Sequence, residues 1–143
     1  MKKFIVLSIV LLMLAGFAIT SSAQVEIAID IKPGSDPNSI NLKSKGLIPV
    51  AILGSADFDV TDVDVTSLAF GPDGASTAHD LNDPLVYADH LQDVNFDGYM
   101  DLVCHFRTQE TGIDAGDISA TLTGATIGLL PFTGTDSVNI VGE

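Results

Sequence analysis

Asp93-Val94-Asn95-Phe96-Asp97-Gly98-Tyr99-Met100-Asp101-Leu102-Val103-Cys104-His105-Phe106 is the stretch whose reading decides the fold. Its first nine residues read D-x-N-x-D-G-x-x-D, the spacing of a calcium loop. Calcium takes about six to eight hard oxygen ligands at roughly 2.3–2.6 Å. Side chains at alternate positions of a tightly curled loop point inward, which makes Asp93, Asn95 and Asp97 ligands. Gly98 permits the turn that brings the chain back. The Tyr99 carbonyl supplies a backbone ligand, and Asp101 binds directly or through a water. The expected metal set is therefore Asp93, Asn95, Asp97, Tyr99 and Asp101, and the expected cofactor is Ca2+. A sixth ligand would come from Asp89, Asp80 or a backbone carbonyl. An EF-hand would place a bidentate Glu where Cys104 stands and would continue as a helix. Here Leu102 to Phe106 continues as a strand, which places the loop in a β-protein.

Working outward, the rest of the chain reads the same way. Val25 to Ile31 alternates, with Val25, Ile27, Ile29 and Ile31 on one face, the period of a half-buried strand. Lys32 to Asn38 is turn chemistry. Ser39 to Leu42 is a short strand, and Leu47 to Leu53 is a continuous apolar run, in which Pro49 points to an edge or a bulge. Phe58 to Val65 alternates Asp with β-branched residues and fits either a strand or an irregular loop. Ser67 to Phe70, Leu85 to Tyr87, Ile118 to Leu122, Ala125 to Leu130 and Ser137 to Val141 complete the strand candidates. No window carries a convincing helical period. The expected fold is an all-β, antiparallel β-sandwich, Ig-like or jelly-roll-like, of about 7–9 short strands with an inserted calcium loop.

The N-terminus is of a different kind. Lys2 and Lys3 precede an apolar run from Phe4 to Ile19, and Ser21 and Ala23 fit a signal-peptidase site. The run is short for a membrane span. Residues 1–23 are thus expected to be a removable signal peptide, with 24–143 a single secreted domain. Phe17 stands where a lipoprotein box would need its Cys, so no lipid anchor is expected. The 143 residues carry a formal charge of −13; beyond residue 23 four basic residues face 19 acids, for −15. That balance excludes the basic stripe of a nucleic-acid binder and a polybasic membrane-surface protein. Sixteen of the acids are Asp, a residue of turns and oxygen-rich loops.

Other chemistry is sparse. Asp57, Asp59, Asp62 and Asp64 lack a glycine turn and read as a solvated face rather than a second calcium site. Asp114 and Asp117, beside Gly112 and Gly116, read likewise. His79, His90 and His105 share no local metal-ligand spacing, and H-E-x-x-H is absent. His105 alternates with Cys104 and Phe106, which assigns it to the opposite face of its strand. The single Cys excludes a disulfide framework and a multi-Cys zinc site. No nucleophile elbow or phosphate-cradling loop is present. No carboxylate pair is singled out for glycoside hydrolysis, so an enzyme is not expected.

Several blocks together resemble a recurrent domain of secreted bacterial and archaeal proteins. They are Ile29-Asp30-Ile31-Lys32-Pro33-Gly34-Ser35 with Pro37-Asn38-Ser39-Ile40-Asn41, Gly46 to Gly54 around Ile48-Pro49-Val50-Ala51-Ile52-Leu53, Phe58-Asp59-Val60, Asp93 to Phe106, Leu122-Thr123-Gly124 and Asp136-Ser137-Val138. The loop itself looks like those of FG-GAP-type repeats. The resemblance implies a calcium-loop β-domain and no catalytic activity. The expected role is structural or adhesive in the extracellular space. The expected partners are calcium, copies of the same chain, and an extracellular polysaccharide or protein matrix. A calcium-dependent carbohydrate-binding module is the alternative, against which the absence of Trp speaks. A small hydrolase ranks third.

Overall fold

The computed structural model describes residues 24–142; the expected signal peptide, residues 1–23, lies outside the described residues. Among the described residues ten strands form three sheets. The strands are β1 (Val25–Glu26), β2 (Ile29–Ile31), β3 (Ser39–Asn41), β4 (Leu47–Ile52), β5 (Ala69–Phe70), β6 (Leu91–Gln92), β7 (Asp101–Arg107), β8 (Ser119–Ala125), β9 (Pro131–Ser137) and β10 (Asn139–Val141). One sheet has the order β1-β9-β8-β5, the second β2-β4-β7-β6, and β10 pairs with β3 at one side. The fold is an all-β sandwich. Pairing is antiparallel except for β1 with β9 and β10 with β3, which are parallel.

The core lies between the two larger sheets. Ile31, Val50, Ile52, Leu102, Cys104 and Phe106 face it from one, and Phe70, Leu122 and Phe132 from the other. Phe70 and Phe106 meet across it with ring centroids 5.1 Å apart. The alternation over Val25 to Ile31 persists in burial, but the segment is not one strand. It pairs first with β9 and then crosses to pair with β4, and Ile27 N–H donates to Thr133 O on the way. This crossing stitches the two sheets together. It passes so close to β9 that a Cβ on Gly134 would sit 2.7 Å from Ile29 Cγ2 and 3.0 Å from Ile27 O.

Three expectations are corrected, and one that stood between two alternatives is resolved. Pro49 lies in β4, which is central between β2 and β7. It is tolerated because its carbonyl, and with it the side lacking an N–H, faces the place where β2 ends: Lys32 N–H donates to Pro49 O just beyond Ile31. Leu85 to Tyr87 belongs to a short helix, α1 (Pro84–Asp89), and not to a strand. Asp83 caps it by accepting from Leu85 N–H, and Pro84 occupies its first turn, a start signal that overrides the β-propensity of Val86 and Tyr87. Residues 126–130 are the turn between β8 and β9, not a strand. Phe58 to Val65 resolves into an irregular segment with a 3-10 turn at Val60–Asp62, followed by another at Val65–Ser67.

Candidate functional site

The Asp loop joins β6 to β7. Asp93 accepts from Asp97 N–H (3.2 Å) and Gly98 N–H (2.9 Å), so its carboxylate curls the loop around itself. Asp97 accepts from Tyr99 N–H (2.9 Å) and from the Asn95 side-chain amide (3.2 Å). Asn95 thereby keeps its own carbonyl oxygen as an acceptor. Gly98 has φ 89° and Phe96 φ 58°, the left-handed turns that close so short a loop. Asp93 is half-buried, while Asn95, Asp97 and Tyr99 are exposed. Asp101 differs from the rest: it is 0% exposed. One of its oxygens accepts from Gly54 N–H and the other from Val94 N–H, both at 2.8 Å. It clasps the loop to the chain leaving β4. The approach is close, since a Cβ on Gly54 would lie 2.1 Å from Met100 O.

Four of the other acidic candidates, Asp59, Asp64, Asp80 and Asp117, serve nearby backbone. Asp59 and Asp64 cap the 3-10 turns, accepting from the N–H and hydroxyl of Thr61 and of Thr66 respectively. The two bonds from Thr61, hydroxyl first, hold the Asp59 carboxyl below its ordinary range. Asp117 accepts from Asp114 N–H within one turn. Asp80, a sixth-ligand candidate, accepts from Asn82 N–H, and Asp89 ends α1.

The histidines form a constellation that local spacing did not reveal. His79, His90 and His105 each bring one ring nitrogen within 4.8 Å of the other two. Their ring centroids are 5.0, 5.0 and 5.3 Å apart. The free edge of β7 explains the gathering. Thr77 pairs with Phe106 and Ala78 N–H donates to His105 O; further along, Val103 N–H donates to His90 O and Leu91 pairs with Leu102. Residues 79–89 loop out between these two attachments and return to the same strand. Residues opposite each other in an antiparallel pair share a face. His90, opposite Val103, therefore joins His105 on the outer face, and His79 leaves the ladder beside them. The excursion is pinned by Leu81, buried in the core cluster, with Val86 and Tyr87 packed against that cluster.

The ring chemistry is partly assigned by geometry. His90 Nδ1 lies 2.7 Å from Val103 O, and a carbonyl only accepts, so Nδ1 carries a proton and, in the neutral ring, the lone pair is on Nε2. His79 Nδ1 and His105 Nδ1 are buried with no hydrogen-bond partner. Burial, reinforced by the neighbouring His79 and His90, pushes His105 below its ordinary range and keeps it neutral near pH 7. On the other side of the same strand Cys104 is fully buried, and burial pushes its thiol up to about 12. The sequence carried one usable sign of the triad, the outward position of His105 on a strand; His79 and His90 are brought to it by pairing alone.

Comparison with known proteins finds no counterpart: no family model, no curated protein and no solved structure matches this chain. Among the described residues no helix is long and apolar enough to cross a membrane.

Proposed function

We propose that the protein is an exported, calcium-stabilised β-domain with a structural or adhesive role outside the cell. The observation that carries this reading is the Asp93–Asp101 loop, whose last carboxylate locks it to the end of β4. A cation held by Asp93, Asn95, Asp97 and the Tyr99 carbonyl, with Asp101 behind them, would tie the β6–β7 connection to the centre of the sheet. Ca2+ suits the donors because all are hard oxygens. Binding stabilises the fold because the unfolded chain has no preformed site. The resemblance to calcium-loop domains of secreted proteins points the same way.

An assembling role draws support from the surface at one end of the sandwich. Phe96, Tyr99 and Met100 on the Asp loop, and Ile127, Leu129 and Leu130 on the β8–β9 turn, are all exposed. Both groups abut segment 55–62, across open depressions of about 510 Å3 and 480 Å3. Edge-strand addition is less favoured: the edge strands have only two or three residues, and Val25 to Ile31 is already paired within its own chain. Electron microscopy and light scattering in millimolar calcium test the reading, with calcium-dependent multimers expected. A strictly monomeric species under those conditions would count against assembly.

One observation favours the carbohydrate-binding alternative. Tyr99 lines the larger depression together with Asp57, Asp59 and Asp62, an aromatic residue and carboxylate acceptors of the kinds that bind sugars. A glycan array run with and without chelator separates the two readings.

A further inference from the structure

We propose that His79, His90 and His105 form a binding site for a divalent first-row transition metal, with Zn2+ as its representative, separate from the Asp loop. Imidazole nitrogen is a borderline donor that suits Zn2+, Cu2+, Ni2+ and Co2+, whereas Ca2+ prefers oxygen. Three imidazoles with a fourth position left to water is an established zinc arrangement.

The distances fit. Zinc holds nitrogen at about 2.0–2.1 Å in a tetrahedron, which sets ligand nitrogens about 3.4 Å apart. The three nitrogens here lie within 4.8 Å of one another, so side-chain rotations that draw the rings together by little more than an ångström complete the set. The surroundings fit as well. His90 already has the supporting contact that metal-bound histidines commonly make: its Nδ1–H donates to Val103 O, which orients the ring and leaves Nε2 free. The buried Nδ1 atoms of His79 and His105 lack hydrogen-bond partners, a state that is unfavourable for a buried polar atom and that a metal bound to the ring would relieve. No carboxylate-rich loop is needed: His105 is on β7, the β7 edge holds His90 by a backbone hydrogen bond, and it anchors His79 through the paired Thr77 and Ala78 just before it.

The test is a zinc titration of the untagged protein against a chromophoric chelator, in excess calcium so that the Asp loop is saturated. One Zn2+ per chain is expected, with a dissociation constant of about micromolar or tighter. His79→Ala is expected to weaken binding at least about tenfold, while Asp97→Ala leaves it unchanged. His79→Ala is preferred to His90→Ala because His90 also supports Val103 O. A second measurement needs no variant: Co2+ added to the wild-type protein should give the intense visible bands of a tetrahedral site, displaced by Zn2+ and not by Ca2+. Zinc binding that is unaffected by His79→Ala, or absent at micromolar concentrations with no cobalt bands, overturns the proposal. Neither result would bear on the calcium reading, because calcium is saturating throughout.

Discussion

Asp101 opens β7 with both carboxylate oxygens taken up by backbone amides in a fully buried position. Asp101→Ala would leave Gly54 N–H and Val94 N–H without their acceptors, and the expected loss is about 2–4 kcal/mol in urea unfolding. Asp30 sits less comfortably. Burial, then the charges of Asp136 and Asp101, raise its pKa above the ordinary 3.8. In the window between 3.8 and that raised value the unfolded chain has already lost the proton that the folded chain keeps. Stability therefore falls as pH rises through the window, and the penalty is complete at pH 7. Asp30→Asn is expected to raise the melting temperature at pH 7 and to change it little at pH 3, as calorimetry would show. A larger gain at pH 3 than at pH 7 would contradict the assignment. Cys104, with its thiol pushed up to about 12, should not react with a thiol reagent at pH 8 in the folded protein and should react fully in denaturant.

At the scale of elements, the crossing from β1 to β2 decides how the two sheets meet. Its alternation of Ile27, Ile29 and Ile31 was legible in the sequence, but the change of partner between Glu26 and Ile29 was not, because alternation reports a face and not a neighbour. The same limit hid β9. Pro131 to Ser137 has the composition of a turn, yet Phe132 and Gly134 point inward and the strand pairs along its whole length with β8. Gly134 is small because the crossing strand lies against it. Gly134→Ala is expected to cost about 1–3 kcal/mol through overpacking, read as a lower urea midpoint with an unchanged slope. The Asp loop was the most legible part of the candidate site, since its expected ligands are contiguous and its glycine marks the turn. What the sequence did not show is the role of Asp101 as a clasp on Gly54, a contact across 47 positions of chain.

For the molecule as a whole, the two candidate metal sites lie on either side of β6, one in the loop that follows it and one at the β7 edge beside it. They share no ligand. Calcium and zinc should therefore each raise the melting temperature, and the two increments should add. Chelation with EDTA should remove both. Asp97→Ala should abolish the calcium increment alone and His79→Ala the zinc increment alone, in a four-way comparison by differential scanning fluorimetry. The acidity of the chain gives the calcium reading its setting, because each divalent ion offsets two of many negative charges.

The sequence by itself determined the features that are written in neighbouring residues: alternating strands, turn chemistry, a nonapeptide with calcium-loop spacing and the excess of Asp. Each of these depends on chain-local geometry, a period of two along a strand or a curl of one loop. Only the tertiary structure decided which strands are partners, why a proline is admitted to a central strand and where the three histidines meet. The reason is that β-pairing is non-local. Two segments attach to the β7 edge on either side of an eleven-residue excursion (79–89), and that attachment, rather than any spacing, brings His79 and His90 to His105.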